Sequence, residues 1–140
     1  MDNVKSAVNA YKAAQVDAAI LGATPYELVE KLLSRAIESI EEAKGFMLQG
    51  NVSAKGQTIK IAITIITDGL RSSLNMEEGG EIAINLDVLY EYMARQLLKA
   101  HAENNTVILD EVASLLKEIK EGWDGIKPRQ SSQQELQPQI

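Results

Sequence analysis

The chain has 140 residues, a formal net charge of −6, and 45% hydrophobic but only 4% aromatic residues. This length is typical of one domain with one hydrophobic core. The absence of cysteine excludes disulfides and thiolate metal ligands and fits a reducing compartment. The sequence has no Lys/Arg cluster, no secretory signal and no run of about 18 apolar residues. It therefore predicts a cytoplasmic protein that neither binds nucleic acid nor inserts into a membrane.

The first predicted helix begins at the sequence TPYE, residues 24–27. Thr24 fits the N-cap, Pro25 fits the first helical position, and Glu27 can close a capping box. Apolar residues then recur in steps of three and four at Val29, Leu33, Ala36, Ile40, Ala43 and Met47. Gly50 predicts the end of this helix, because glycine adopts a left-handed conformation without steric cost.

The second segment is rich in isoleucine and gives a conflicting signal. Residues 59–67 (IKIAITIIT) favour a β-strand by propensity and partial alternation. The segment also carries a helical line of apolar residues at Ile59, Ile63, Ile66, Leu70 and Leu74. The sequence offers no partner strand, so the backbone hydrogen-bonding groups of a lone strand would stay unpaired. We therefore predict a helix here, with Asn51 as its N-cap.

Two further helices follow the same logic. Gly79 and Gly80 break the chain before a third apolar line, and Asn104 and Asn105 provide a turn and an N-cap before a fourth. The third line is Ile82, Leu86, Leu89, Met93, Leu97 and Ala100, and the fourth is Ile108, Val112, Leu115, Ile119, Trp123 and Ile126. Short loops make neighbouring helices antiparallel. The sequence predicts an all-α fold, an antiparallel up-down four-helix bundle over residues 23–127.

The two ends of the chain differ from the bundle in composition. Residues 1–22 are weakly helical and carry a small apolar set, Val4, Val8 and Tyr11. They indicate an appended segment, a flap on the bundle, and not a fifth core helix. Residues 128–140 are polar and rich in glutamine, a composition that predicts a disordered tail.

The sequence gives no sign of a catalytic or cofactor site. Its single histidine, His101, lies near the end of the third predicted helix, and a di-iron bundle would need Glu-x-x-His motifs on two helices. The Gly79-Gly80 pair lacks the spacing of a phosphate-binding loop. Phosphotransfer is disfavoured because Glu103 follows His101 where a phosphate would need a donor. We predict a protein that is not an enzyme and binds no cofactor or metal.

Two helices carry more apolar residues than one core-facing line requires. Ile61 and Ile65 lie off the second line, and Val88 and Tyr92 lie off the third. A helix that is apolar on more than one face needs covering by something besides its bundle neighbours. A fully internal helix, a homodimer interface and a groove for an apolar peptide each satisfy this pattern. The pattern does not choose among them.

Several blocks of the sequence, in order, resemble the FliS family of flagellar secretion chaperones. The resemblance extends from the tripeptide at residues 9–11 to Trp123. The blocks are residues 23–29 (ATPYELV), 69–75 (GLRSSLN), 78–83 (EGGEIA), 85–93 (NLDVLYEYM) and 109–112 (LDEV). Ala23 stands where the family often has serine, and the glutamine-rich tail lies outside the pattern. Neither departure affects the predicted bundle.

The resemblance implies a helical bundle that binds the disordered C-terminal segment of flagellin in the bacterial cytosol. It also implies that the protein prevents premature polymerisation of flagellin and delivers it to the flagellar export gate. The N-terminal segment around Val8 and Tyr11 is implied to cover the cargo groove when cargo is absent.

Combined with the excess of apolar residues, the resemblance places the predicted groove at Ile61, Ile65, Val88 and Tyr92. The alternative is a homo-oligomeric helical adaptor without flagellin cargo, which would bury the same surface against a second copy. A weak homodimer is compatible with either function.

Overall fold

The computed structural model describes residues 24–125, and every structural statement below concerns this range. The predicted segment 1–22, with Val8 and Tyr11, and the predicted tail 128–140 lie outside it. Within the described range the elements are helical and none is a strand, which confirms the all-α prediction. The four long helices are α1 (Pro25–Gln49), α2 (Val52–Thr64), α3 (Met76–Glu103) and α4 (Thr106–Gly125).

Local side-chain caps set the ends of α1. The Thr24 hydroxyl accepts from the Glu27 amide at 3.2 Å, and the Thr24 amide donates to the Glu27 carboxylate at 3.0 Å. This reciprocal pair is the predicted capping box. Gly50 follows the last helical residue with a φ of 75°, the left-handed conformation that glycine adopts without strain. The predicted first and last residues of this helix are therefore confirmed.

The isoleucine-rich segment is helical, as predicted, but it is not uniformly α-helical. The Asn51 side chain caps α2 by accepting from the Ala54 amide at 3.1 Å. After Thr64 the chain continues as a π-helix over Ile65–Leu70 and a short 3-10 turn over Arg71–Ser73. A π-helix changes the register of the residues that follow it, and such segments are frequent at functional sites.

Helix α3 begins one turn before the predicted glycine break. The Asn75 side chain caps it by accepting from the amides of Glu77 and Glu78 at 3.1 and 3.0 Å. Gly80 interrupts the helix with φ 54° and ψ −129°, a conformation available almost only to glycine. The glycine break is therefore a kink inside α3. Asn104 ends the helix in a left-handed conformation, with a φ of 53°.

The core lies along the axis of the bundle, and α1 packs most extensively against α2 and α4. All four helices and the π-helix contribute to it. Its largest fully buried side chains are Leu28, Leu32, Leu33, Ile40, Ile65, Ile66, Leu70, Met93, Leu97, Leu109, Val112 and Leu116. Together with the short connections, this packing confirms the antiparallel four-helix bundle.

The prediction that Ile65 lines an open groove is wrong, because its side chain is completely buried. The predicted core line passed through Ile63, which left Ile65 outside it. The buried line instead runs through Ala62, and residues three and four positions later then share one face. Ile65 and Ile66 both meet this condition and both point into the core.

The prediction that Ile82 belongs to the core is wrong, because this residue is 72% exposed. The third apolar line was predicted to begin at this residue. The kink at Gly80 sets the direction of the following turn, and Ala83 occupies the inward position instead. Ile82 is thereby left at the edge of the bundle.

Two negative findings apply to the described range. None of its helices is long and apolar enough to cross a membrane. Residues 24–125 also contain no group of three or more His, Cys, Asp or Glu side chains placed to hold a metal ion.

Candidate partner-binding site

An open pocket with a volume of about 280 Å³ lies at one end of the bundle. It forms where α1 and α3 begin and where the 3-10 turn and α4 end. Most of its lining is apolar, from Val29, Leu33, Leu70, Leu74, Ile82, Ala83, Leu86, Tyr90, Ile119 and Trp123. We refer to this space as the apolar pocket. Its composition fits an apolar side chain and offers no charged group to a ligand.

Tyr26 and Trp123 join the start of α1 to the end of α4 at the apolar pocket. Their rings stack with centroids 5.1 Å apart and an interplanar angle of 12°. The Tyr26 hydroxyl donates to the Trp123 carbonyl at 2.9 Å, and the Trp123 indole N–H donates to the Tyr26 carbonyl at 3.2 Å. Both aromatic polar groups are therefore satisfied within the protein. Trp123, predicted as a core residue, is half-buried and packs against the core while lining the pocket.

An ion pair stands between the 3-10 turn and α3 beside the pocket. Arg71 donates to Asp87 through Nε at 2.6 Å and through Nη2 at 3.3 Å. This hydrogen bond holds the pKa of the Asp87 carboxyl below its usual range, although partial burial acts against it. Asp87 is thus charged at neutral pH and orients the guanidinium. Arg71 therefore links the 3-10 turn to α3.

Tyr90 contributes a neutral phenol to the pocket lining. Its side chain is buried, and burial raises the pKa of Tyr90 to about 12. Nearby, the Ser73 hydroxyl donates to the Gly69 carbonyl at 2.6 Å. These polar groups bring no charge into the pocket, which preserves its apolar character.

The structure separates the four predicted groove residues. Val88 is 58% exposed on α3, and Tyr92 is half-buried with its hydroxyl donating to Glu111 at 2.8 Å. Ile61 is half-buried and packs against the core, whereas Ile65 lies inside it. None of the four lines the apolar pocket. Val8 and Tyr11, the predicted covering residues, lie outside the described range.

A second apolar surface lies on α3. Ile84 is 53% exposed and Val88 58% exposed, and Tyr92 follows at the same four-residue spacing. Residues four apart share one face of a helix, so these three form one strip, which we call the α3 face. Two of its members, Val88 and Tyr92, were predicted from the sequence as groove residues.

Sequence patterns did not reveal the pocket, because its lining comes from elements that are far apart in the chain. One local signal was available in the glycine pair, since Gly79 and its neighbour Ile82 both line the pocket. A Cβ atom at Gly79 would lie 2.7 Å from the Ala83 side chain, so this position accepts only glycine without rearrangement. The glycine pair therefore marks the pocket as well as the kink.

Comparison with known proteins finds related sequences over most of the chain. Residues 7–130 match the family described as "Flagellar protein FliS". The chain is 42% identical over 129 residues to the "Flagellar secretion chaperone FliS" of Salmonella typhimurium, covering 92% of this chain and 96% of that protein. It is 41% identical over 125 residues to the protein of the same name from Vibrio cholerae, covering 89% and 91%. It is also 43% identical over 120 residues to the "Flagellar secretion chaperone FliSB" of Pseudomonas aeruginosa, covering 86% and 94%.

Proposed function

Because the chain belongs to the FliS family of flagellar secretion chaperones, we propose that it binds the C-terminal segment of flagellin in the cytoplasm before export. The protein is a chaperone and not an enzyme. Binding would shield apolar residues of flagellin that would otherwise self-associate, and so prevent premature polymerisation. The complex would then deliver flagellin to the flagellar export gate.

The observation that carries this proposal is the open apolar pocket beside the exposed Ile82. An apolar surface in water is unfavourable by about 25 cal/mol per Å², and a bound apolar segment removes that cost. A volume of about 280 Å³ accommodates large aliphatic or aromatic side chains. The pocket can therefore serve as the anchor point of an extended or helical cargo segment.

The α3 face supports a second contact with the same cargo. Val88 and Tyr92 are two of the residues predicted for the groove, and Ile84 extends their line towards the pocket end of α3. A bound segment that fills the apolar pocket reaches this strip by passing round α3, because Ile84 and Val88 lie on the other side of the helix from the pocket-lining Leu86. Ile61 on α2, which is half-buried, remains a predicted contact. Cargo binding spread over such a surface gains affinity from area and shape more than from any single bond.

We further propose that the N-terminal segment covers the pocket when no cargo is bound. The described chain begins at Thr24, and Tyr26 stacks on the pocket-lining Trp123. The stretch from Tyr11 to Thr24 spans about 20 Å as a helix and about 40 Å when extended, so Val8 and Tyr11 can reach the pocket. Their apolar side chains match its lining.

Co-purification tests the proposed cargo. The chain should retain full-length flagellin and lose flagellin that lacks about 40 C-terminal residues, a length consistent with coupled folding and binding. Sedimentation of the chain alone and with the C-terminal peptide separates a chaperone from the alternative homo-oligomeric adaptor. A chaperone forms a peptide complex, whereas the adaptor remains self-associated, as a weak homodimer or larger, and ignores the peptide.

Two matched variants locate the contact. Ile82→Asp places a charge beside the apolar pocket, and Val107→Asp places the same charge at the opposite end of the bundle. The native side chains are 72% and 73% exposed, so both variants should fold. We expect only Ile82→Asp to weaken peptide binding, by about tenfold or more, because its carboxylate would be desolvated in the complex. Equal binding by both variants would contradict the pocket as the anchor point.

A further inference from the structure

One side of the apolar pocket is not built from continuous α-helix. Between the end of the π-helix at Leu70 and the kink at Gly80, the chain forms a 3-10 turn, two extended residues and one helical turn. The extended residues are Leu74, with a ψ of 136°, and Asn75, with a ψ of 99°. We call residues 71–80 the pocket wall. Ser73, Leu74, Asn75 and Gly79 of this wall line the pocket.

The pocket wall is less buried than the elements on either side of it. None of residues 71–80 is buried, and 75–79 are all exposed. Leu70 just before the wall and Ala83 just after it are buried. Segments with few buried contacts open locally at a lower free energy than the core does. Leu74 is the residue of the wall that packs against the core, so local opening of the wall should cost less free energy than unfolding of the bundle.

Each end of the wall carries a backbone feature suited to a hinge. At the first end, the π-helix Ile65–Leu70 gives way to the 3-10 turn, and such a change of helix type often marks a hinge. At the second end, Gly80 has φ 54° and ψ −129°. Glycine absorbs changes in φ and ψ without a side-chain clash, which is typical of a hinge residue.

A two-point ion pair fastens the first residue of the wall to the part of α3 that follows the kink. Arg71, the first residue of the wall, donates to Asp87 through two nitrogens, at 2.6 and 3.3 Å. Such paired bonds fix geometry better than a single ion pair does. Asp87 is the next residue after the pocket-lining Leu86 on α3. The Arg71–Asp87 ion pair therefore holds the wall in place beside the pocket.

We propose that the pocket wall is a hinged gate, latched by Arg71 and Asp87, that opens outward to admit the bulky apolar side chains of the cargo. This regulation rests on the proposed function of the apolar pocket. With the latch closed, the pocket keeps its volume of about 280 Å³. With the latch open, the wall turns about its two ends and widens the entrance.

Amide hydrogen exchange of the full chain, without cargo, tests the latch directly. Asp87→Asn removes the ion pair at the wall, and Asp110→Asn removes the pair that joins α1 to α4 through Lys44 at 3.0 Å. We expect amides of residues 72–79 to exchange about two- to fivefold faster in Asp87→Asn only. Amides of the α4 core should be unchanged in both. Unchanged exchange in the wall would overturn the proposal.

A second variant guards against general loosening of the bundle. If Asp87→Asn also accelerated exchange in the core, the Arg71→Lys variant would be measured in its place. Lysine keeps the positive charge but cannot form both hydrogen bonds to Asp87. Faster exchange confined to the wall in Arg71→Lys supports the latch, and uniform acceleration in both variants overturns it.

Cross-linking the wall to α3 tests whether the gate must open for cargo to bind. The chain has no cysteine, so an Arg71→Cys, Asp87→Cys variant can be joined by a short bismaleimide and compared with the same variant capped by N-ethylmaleimide. We expect the linked form to bind the flagellin peptide with an association rate at least about tenfold lower. Binding of an apolar dye, 1-anilinonaphthalene-8-sulfonate, should fall in parallel.

The outcomes distinguish the gate from the proposed function. Equal association rates for the linked and capped forms would overturn the gate even where flagellin binds tightly. If neither form binds flagellin, the proposed cargo is wrong, while dye binding and hydrogen exchange still decide whether the wall opens.

Discussion

Ile65 and Val88 differ in burial, so the same substitution should have opposite consequences. A carboxylate at Ile65 would lie unpaired in the core, at a cost of about 4 kcal/mol or more, which approaches the whole stability of a domain. A carboxylate at Val88 stays in water and should change stability by about 0.5 kcal/mol or less. Thermal melting followed by circular dichroism should show Ile65→Asp unfolded or nearly so, and Val88→Asp folded.

Flagellin-peptide titration completes the comparison. Val88→Asp should weaken binding about tenfold, because the complex would desolvate its carboxylate between the α3 face and the cargo. Folded Ile65→Asp would show that the core placement of this residue is wrong. Unchanged binding by Val88→Asp would remove the α3 face from the cargo site.

Lys55 gives a second prediction at the scale of single residues. Its side chain is buried, and Nζ donates to the Asn104 side chain at 2.6 Å and to the His101 carbonyl at 3.2 Å. The ammonium thereby satisfies acceptors at the C-terminus of α3 and ties α2 to it. Lys55→Met should lower the free energy of unfolding by about 1–3 kcal/mol in urea titration.

Lys60→Met is the matched control, because Lys60 lies on the same helix and is exposed. It should stay within about 0.5 kcal/mol of the parent chain. Similar losses from both substitutions would indicate a general effect of lost charge and would contradict the capping role of Lys55.

At the scale of elements, the kink in α3 depends on one glycine. Gly80→Ala must place a Cβ on a backbone with φ 54° and ψ −129°, which should lower the free energy of unfolding by about 1–3 kcal/mol. Gly45→Ala lies inside α1, where an added Cβ meets nothing within 4 Å. It should raise the free energy of unfolding by about 0.5–1 kcal/mol, since alanine favours a helix interior.

Chemical denaturation of the two alanine variants measures both changes. The pair separates conformational strain from helix propensity, because the same methyl group is added in each case. A stabilised Gly80→Ala variant would mean that α3 runs straight through this position and has no kink.

At the scale of the whole molecule, the proposed complex is held mainly by apolar contact. The lining of the pocket carries no charged side chain, and the charges of Arg71 and Asp87 beside it are already paired within the protein. We therefore expect the flagellin-peptide Kd to change less than about threefold between 0.05 and 0.5 M salt, where charge interactions become strongly screened. Isothermal titration across this range measures it, and a steep loss of affinity would show that charge dominates.

The N-terminal segment should act on the binding equilibrium as a competitor. If it covers the pocket about 90% of the time, deleting residues 1–18 should tighten peptide binding roughly tenfold, because every molecule is then open. The stability of the bundle should change little. Titration of the shortened and full chains with the same peptide compares them. Weaker binding after deletion would instead make this segment part of the cargo site.

The ends of the helices could be predicted from the sequence because capping is a local interaction. The Thr24 box, the glycine stop at residue 50 and the Asn51 cap each involve residues within four positions of one another. Such contacts require no knowledge of the rest of the fold. The helical state of the isoleucine-rich segment followed from a different argument, the lack of any partner strand. Family membership followed from several sequence blocks in the correct order.

Only the tertiary structure decided which side of each helix is open. A shift of the core line from Ile63 to Ala62 moves Ile65 from the surface into the core, and periodicity alone does not fix that shift in a helix that is apolar on several faces. The apolar pocket likewise needs the ends of separate helices to meet around one space, and the kink at Gly80 sets its exposed edge at Ile82. Capping contacts lie within one helical turn, whereas the pocket is made by residues far apart in the chain, so its position follows from packing.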